Sequence, residues 1–293
     1  MTTSDLHTTM PAKSARLQPA RLIAEIRKFP APLLAGLGIL LFWVLVTLIV
    51  PPALGRSATD VVYGAKLLPP SSEYLFGTDA LGRDLLVRTA VAFRYDMLVA
   101  GASTLLAACL GLIFGAIAGT SPEWIDNLIM GIVDVIAAFP NFVLALAIAA
   151  AFAPSAITLI ASIGIVFAPY YARTTRAVIL SEKSKPYADA ARAMGFSPAR
   201  IVFRHLLPNS VPYTMTLMAT DISGAIMVTA GLSFLGFGVQ PPDAEWGLMI
   251  SEGNAFIISG QWWISFFPGL AILSLISAFL LIDLGIRKMQ QKF

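Results

Sequence analysis

Two aspartates, Asp134 and Asp221, stand inside runs that are otherwise almost wholly apolar. A carboxylate in the middle of a membrane helix costs about 3 kcal/mol, so it persists where it is paired or where it works on an ion, a proton or a cargo. Each lies about 12–18 Å into its run at 1.5 Å per residue. Each is therefore a candidate pathway residue, with a polar-paired carboxylate near a helix end as the alternative. Enzyme chemistry finds fewer footholds. A serine–histidine mechanism needs a histidine beside its nucleophile, and the two histidines are His7, in a polar tail, and His205, in a polar loop. No His/Cys/Glu cluster has ligand spacing, so no metal site is expected. An Asp134–Asp221 carboxylate pair is the one hydrolytic arrangement left. The single cysteine, Cys109, lies in an apolar run and excludes an intrachain disulfide.

The elements that must position these groups are set by composition. Of 293 residues, 57% are hydrophobic and 13% are charged, against about 45–50% and about 25% in soluble domains. Mean hydropathy is +0.77. A net charge of +3 is too small to suggest a nucleic-acid partner. A helix needs about 20 mostly apolar residues to cross the hydrocarbon layer. Six runs qualify: 31–50, 97–119, 124–152, 156–171, 212–235 and 263–286. The fourth is short, and the third carries Asp126, Asp134 and Pro140. The fold class is therefore all-α, a polytopic membrane protein of about six transmembrane helices. A tail over 1–30 precedes a transmembrane domain over 31–293. The first run is too long for the apolar region of a signal peptide, so no cleaved signal is expected.

Lys and Arg mark cytoplasmic segments. They gather in the tail (Lys13, Arg16, Arg21, Arg27, Lys28), after the fourth run (Arg173, Arg176, Lys183, Lys185, Arg192, Arg200, Arg204) and after the sixth (Arg287, Lys288, Lys292). Residues 236–262 have none. Six spans with both termini cytoplasmic fit this pattern. Arg56, Lys66, Arg83, Arg88 and Arg94 run against it, because they fall on the outer side.

That outer segment, 76–96, reads as a turn leading into a helix, with Thr78 or Asp79 as N-cap. Leu81, Leu85, Leu86, Thr89 and Phe93 fall near one face. The helix then lies either on the membrane–water boundary or in a solvated loop. In the second run, Ala107, Gly111, Gly115 and Gly119 recur every four residues and form a groove for close helix packing.

The loop over 173–208 is longer than a link between two spans requires. Pro186 suits a first helical turn and Gly195 the left-handed residue that ends a helix. Ser197-Pro198 then starts a second helix as N-cap and first residue, expected to stop at Pro208. Alanines at 188, 190, 191 and 193 leave the backbone of the first helix approachable. The reading is a helix–turn–helix docking element.

The run Asp189-Ala190-Ala191, then Gly195, then Pro208 resembles the EAA loop of ABC importer permeases. The family pattern has Glu where Asp189 stands and an apolar residue where His205 stands. Phe203-Arg204-His205-Leu206-Leu207-Pro208-Asn209 resembles the dipeptide/oligopeptide/nickel branch. So do Phe76-Gly77-Thr78-Asp79-Ala80-Leu81-Gly82-Arg83-Asp84 and Leu235-Gly236-Phe237-Gly238-Val239-Gln240-Pro241-Pro242 with Glu245-Trp246-Gly247. Ala92-Phe93-Arg94-Tyr95-Asp96-Met97 departs from the branch, which has a Gly-Ala-Arg-like run there. The resemblance covers roughly Ala31 to Ile286.

The resemblance implies a type I importer fold and a bacterial inner-membrane location. It implies a coupling helix seated in a groove of a cytoplasmic ATPase, with Tyr187, Asp189, Ala190, Ala191, Arg192, Gly195 and Pro208 as contact residues. Gly77, Thr78, Asp79, Gly82, Arg83, Asp84, Gln240, Pro241, Glu245 and Trp246 would form the outer mouth and support a docked binding protein. The implied partners are a second, homologous permease subunit, one or two ABC ATPases, an extracytoplasmic substrate-binding protein and membrane lipid. The sequence has no Gly-x-x-x-x-Gly-Lys-Ser/Thr phosphate loop. ATP and Mg are therefore expected on the partner ATPases, this chain binding no cofactor and being no enzyme itself. A peptide is the first expected cargo, and nickel or a metal chelate the second. A stand-alone carrier and an intramembrane hydrolase are the readings from other classes.

Overall fold

The computed structural model describes residues 29–290; the tail over 1–28, with its basic residues and His7, and residues 291–293 lie outside them. Among the described residues there are ten α-helices and one π-helical turn. In chain order they are α1 (Ala31–Leu54), α2 (Leu85–Thr120), α3 (Glu123–Ala137), α4 (Asn141–Ala150), α5 (Ala156–Lys183), α6 (Pro186–Ala193), α7 (Pro198–Ile201), α8 (Leu207–Phe234), α9 (Trp246–Asn254) and α10 (Trp263–Gln290). The π turn, Val202–Leu206, joins α7 to α8. The all-α expectation holds.

The small-residue stripe on α2 organises the bundle. A Cβ on Gly111 would lie 2.1 Å from the Cβ of Tyr171, one on Gly115 2.5 Å from the Ala172 carbonyl, and one on Gly119 2.9 Å from Ile179. Gly164 on α5 receives Leu106 in the same way. Partner numbers rise together along both helices, so α2 and α5 run parallel. Parallel neighbours need the chain to return between them, and α3 with α4 must make that return. Together they pass as one apolar span broken by a bend of 90°. Five long helices and this bent pair make six crossings. Leu33 lies against Gly285, which places the start of α1 and the end of α10 at the same end of the bundle.

Five sequence expectations are corrected here. The third span is not one helix over 124–152: Pro140 has no N–H and forces the residue before it out of helical geometry, so the chain breaks between Ala137 and Asn141. The fourth span is not short, because α5 continues to Lys183 and absorbs Arg173 and Arg176. The fifth does not begin at Pro212, and the loop helix does not stop at Pro208. The π turn bonds the Leu207 N–H to the Val202 carbonyl. This wider turn lets Pro208 enter the first turn of α8, where its missing N–H is tolerated. Lastly, the segment after Asp79 is no interfacial amphipathic helix. Residues 76–84 form tight turns, and helix begins at Leu85 with Asp84 as N-cap, its carboxylate accepting from the Leu86 and Val87 N–H groups at 2.9 and 3.3 Å. From there α2 runs straight into the second span.

The apolar core lies among α1, α2, α5, α8, α9 and α10. Leu41, Phe42, Leu48, Leu98, Leu105, Ile113 and Leu273 point outward, as lipid-facing residues do. Leucine at Gly115 would drive a side chain into the backbone of α5. We expect Gly115→Leu to lower stability by about 3 kcal/mol, the upper end for overpacking, read as a fall in the thermal unfolding midpoint in detergent.

Candidate functional site

Three groups of side chains line up along the bundle: one at the end that carries both described termini, one in the middle, and one at the opposite end.

At the first end, α6 is a two-turn helix whose Ala188 and Ala191 are buried. Ala191 packs with Ala116 on α2, Ile179 on α5, Ile201 and Leu206. Ala190 is exposed. The expectation that both alanines face a partner is corrected to Ala190 alone, because two adjacent helical residues point about 100° apart. Gly195 ends the turn at φ 78 with open space around it. Only its backbone angle demands glycine. Ser197 caps the next helix through the Arg200 N–H at 3.3 Å. Asp189 pairs with Arg192 at 2.9 Å on the surface. Tyr187 is half-buried and Pro208 exposed.

The sequence reading passed over Glu182, which anchors this element. It is 6% exposed and accepts from Lys185 Nζ at 2.5 Å, Tyr187 Oη at 2.7 Å and Asn209 Nδ2 at 3.5 Å. One carboxylate thus ties the end of α5, the start of α6 and the first turn of α8. Its hydrogen bond to Lys185 is the main reason that ammonium is held above its usual range. The signal was present in the sequence, since Glu182 is the only acid between Arg173 and Asp189.

At the opposite end, the residues expected to form a mouth are mostly interior. Thr78, Asp79, Arg83, Asp84, Glu245 and Trp246 are all buried. Asp79 accepts from the Leu81 and Arg83 N–H groups, each at 2.9 Å, and pairs with Arg83 Nε at 2.5 Å. Arg83 and the fully buried Arg88 both reach Glu252 on α9 at 3.1 Å. Arg88 also donates to the carbonyls of Ala58 and Pro242 at 3.2 and 3.3 Å. Arg56 pairs with Asp84 at 2.7 Å and lies over the Tyr74 ring. A Cβ on Gly77 would meet the Leu68 carbonyl at 2.6 Å, and one on Gly82 the Val62 carbonyl at 2.2 Å; both glycines have positive φ, 76 and 81. Glu245 caps α9 with both oxygens, accepting from Gly247 N at 3.0 Å and Leu248 N at 2.7 Å. Burial holds its carboxyl above the usual range. Trp246 donates from Nε1 to the Thr89 carbonyl at 2.9 Å and packs on Trp43 and Phe93. These residues build this end of the bundle from inside; of the expected mouth residues, Gln240 and Pro241 are exposed.

Between the two ends lies a cavity of about 600 Å³, lined by α4, α5, α8 and α10. Asn141, Tyr170, Arg173, Thr220 and Asp221 supply its polar wall, and Phe167 and Met227 part of its apolar one. The two candidate pathway aspartates differ. Asp134 is outside the lining, held by Arg173 at 2.7 Å. Asp221 lines the cavity and has an oxygen, Oδ2, without a hydrogen-bond partner. The two carboxylates are not brought together as an acid–base pair. Arg176 grips Asp126 with two bonds, 2.6 and 2.5 Å. Among the described residues no group of three or more His, Cys, Asp or Glu could hold a metal ion.

Residues 111–289 match the family described as binding-protein-dependent transport system inner membrane component. The chain is 33% identical over 288 residues to the probable D,D-dipeptide transport system permease protein DdpC of Escherichia coli, covering 98% of this chain and 96% of that one. It is 35% identical to the dipeptide transport system permease protein DppC of Alkalihalophilus pseudofirmus, over 87% of this chain and 83% of the relative. It is 35% identical to the di/tripeptide transport system permease protein DppC of Pseudomonas aeruginosa, over 87% and 86%. Among solved structures, an inward-facing MetNI methionine ABC transporter matches at a TM-score of 0.54 and 18% identity, covering 71% of this chain and 95% of that one. That likeness concerns the fold.

Removing Arg88 would leave Glu252 and Asp79 without their deepest cation. We expect Arg88→Met to cost about 3–5 kcal/mol, as for a broken buried pair. Arg192→Met, at the exposed Asp189 pair, should cost about 0–1 kcal/mol. Thermal unfolding of the two purified variants in the same detergent checks the contrast.

Proposed function

We propose a working cycle for this chain, which belongs to the family of inner membrane components of binding-protein-dependent transport systems: it forms half of the pathway of an ATP-driven peptide importer. The observation that carries the reading is the end-to-end division of labour. A capped, surface-standing helix sits at one end, an ion-paired scaffold at the other, and a cavity with one unpartnered carboxylate lies between them.

The end with α6 is the cytoplasmic one. Lys183, Lys185, Arg192, Arg200, Arg204, Arg287 and Lys288 gather there, and the positive-inside rule orients such segments inward. Both termini then lie in the cytoplasm. α6 enters a groove on an ABC ATPase that carries the ATP and Mg. Ala190, Asp189 and Arg192 are its outward residues, while Ala188, Ala191 and Glu182 transmit its position to α2, α5 and α8. Rotation of α6 is thus leverage on three spans at once.

The face bearing Asp134, Arg173 and the cavity cannot meet lipid, since exposed charge at that depth is costly. A second permease subunit covers it and closes the other half of the pathway. The binding protein docks at the outer end on the rim around Gln240 and Pro241, over the buried ion pairs. Peptide is favoured over nickel because the relatives described above are all named for peptides.

Cysteine at the exposed Ala190 should crosslink to the co-purified ATPase, and cysteine at the buried Ala191 should not. Absence of any ATPase on purification, with no crosslink from Ala190, would refute the importer reading. Gly195→Val forces a β-branched residue to φ 78 and is expected to reduce transport and substrate-stimulated ATP turnover at least tenfold while leaving membrane insertion intact. Both are read on the complex in proteoliposomes.

A further inference from the structure

The cavity holds a carboxyl with no cation beside it. Among the described residues Arg173 is the one cation in its lining, and it is already paired with Asp134 at 2.7 Å. Asp221 has no such partner. Its Oδ2 is buried and accepts no hydrogen bond. The fully buried Tyr171 stands beside it, but its hydroxyl makes no bond of good geometry to any group. Asp283, on α10, is paired with Arg287 at 2.8 Å. The carboxyl of Asp221 is therefore the acidic group left to meet a cation at this end of the cavity.

The rest of the cavity says what else that cation carries. A volume of about 600 Å³ falls within the range of roughly 300–1,000 Å³ found for small-molecule sites. The wall beyond Asp221 is apolar and adaptable: Val166, Phe167, Met227, Ile276 and Leu280. Methionine and flexible aliphatic side chains accept varied shapes. Asn141 and Thr220 offer neutral donors and acceptors. A small molecule with one ammonium, amide groups and variable apolar substituents satisfies all of this.

We propose that Asp221 is a substrate-contacting residue of the pathway, its carboxylate receiving the α-ammonium of a peptide as the peptide crosses the cavity. This rests on the reading of the chain as a peptide importer subunit. Asp221 lines the cavity and has no cation of its own to give up, so an ammonium in the cavity can take that place. The charge thus favours entry without the tight multi-point grip that would prevent release.

The test uses the whole complex, with its partner permease, ATPases and binding protein, in proteoliposomes. The probes are Ala-Ala and Ala-Ala-Ala, whose only cation is the N-terminus, and Ala-Lys. Asp221→Asn keeps shape and resembles a protonated carboxyl. Expected are at least a tenfold fall in uptake of the alanine peptides, uptake largely restored by Asp221→Glu, and binding-protein-stimulated ATP turnover within twofold of wild type. Tyr171→Phe, which removes the neighbouring hydroxyl but keeps the carboxylate, should retain uptake. Wild-type uptake by Asp221→Asn would overturn the proposal, because a proton would then suffice. A loss confined to Ala-Lys would overturn the α-ammonium assignment. An equal loss in Tyr171→Phe would show a structural pair instead. If the wild-type complex turns over ATP yet carries no peptide, the importer-of-peptides reading fails and this inference fails with it, a result distinct from all the others.

Discussion

The close approach of α2 and α5 is the contact on which the architecture depends. Three glycines on one face of α2 let the backbone of α5 come where any side chain would collide. In a bilayer, where lipid tails are as apolar as leucine, such packing is a main source of helix association. Because these two helices are parallel, the chain must cross between them. That requirement turns α3 and α4, neither long enough alone, into a single broken crossing. Ala137 and Asn141, on either side of the bend at Pro140, both line the cavity. A packing choice on one helix face thus bears on the number of crossings and on the side at which the described ends lie.

Charge is distributed according to what each depth can tolerate. At the end with Gly77 and Gly82, arginine and carboxylate are buried together and largely pair with one another, which holds turns and helix starts in place. At the end with α6, charges are mostly exposed, and the buried Glu182 is shared among three elements. In the middle, a half-buried carboxylate has no permanent partner. Unpaired charge is expensive in such a setting, and the want of a cation sets Asp221 apart from Asp134, which Arg173 holds.

The backbone handles proline in three ways. Pro140 breaks a span, Pro186 begins a helix, and Pro208 is absorbed by a widened turn. The difference lies in the neighbouring hydrogen bonds rather than in the proline. Where the preceding turn can expand to i−5 bonding, the helix continues and joins α7 to α8 without a break. Asp221 sits on the same helix as Pro208.

By itself the sequence determined the solvent, the helical class, the approximate spans, the small-residue stripe, the Gly195 turn and the Ser197 cap. Each of these is local: hydropathy over about 20 residues, a spacing of four, a backbone angle, a first-turn acceptor. The family motifs Phe76–Asp84 and Asp189–Pro208 were legible for the same reason. Tertiary structure alone decided which motif residues are reachable. Ala190 and Ala191 differ by one step in sequence and by a full change of environment, and the outer Arg83, Arg88 and Glu252 meet across more than 160 residues. It also separated Asp134 from Asp221, identical as letters in apolar runs, because only one of them finds an arginine. Pairing between distant elements is a property of how helices pack, and no local pattern carries it.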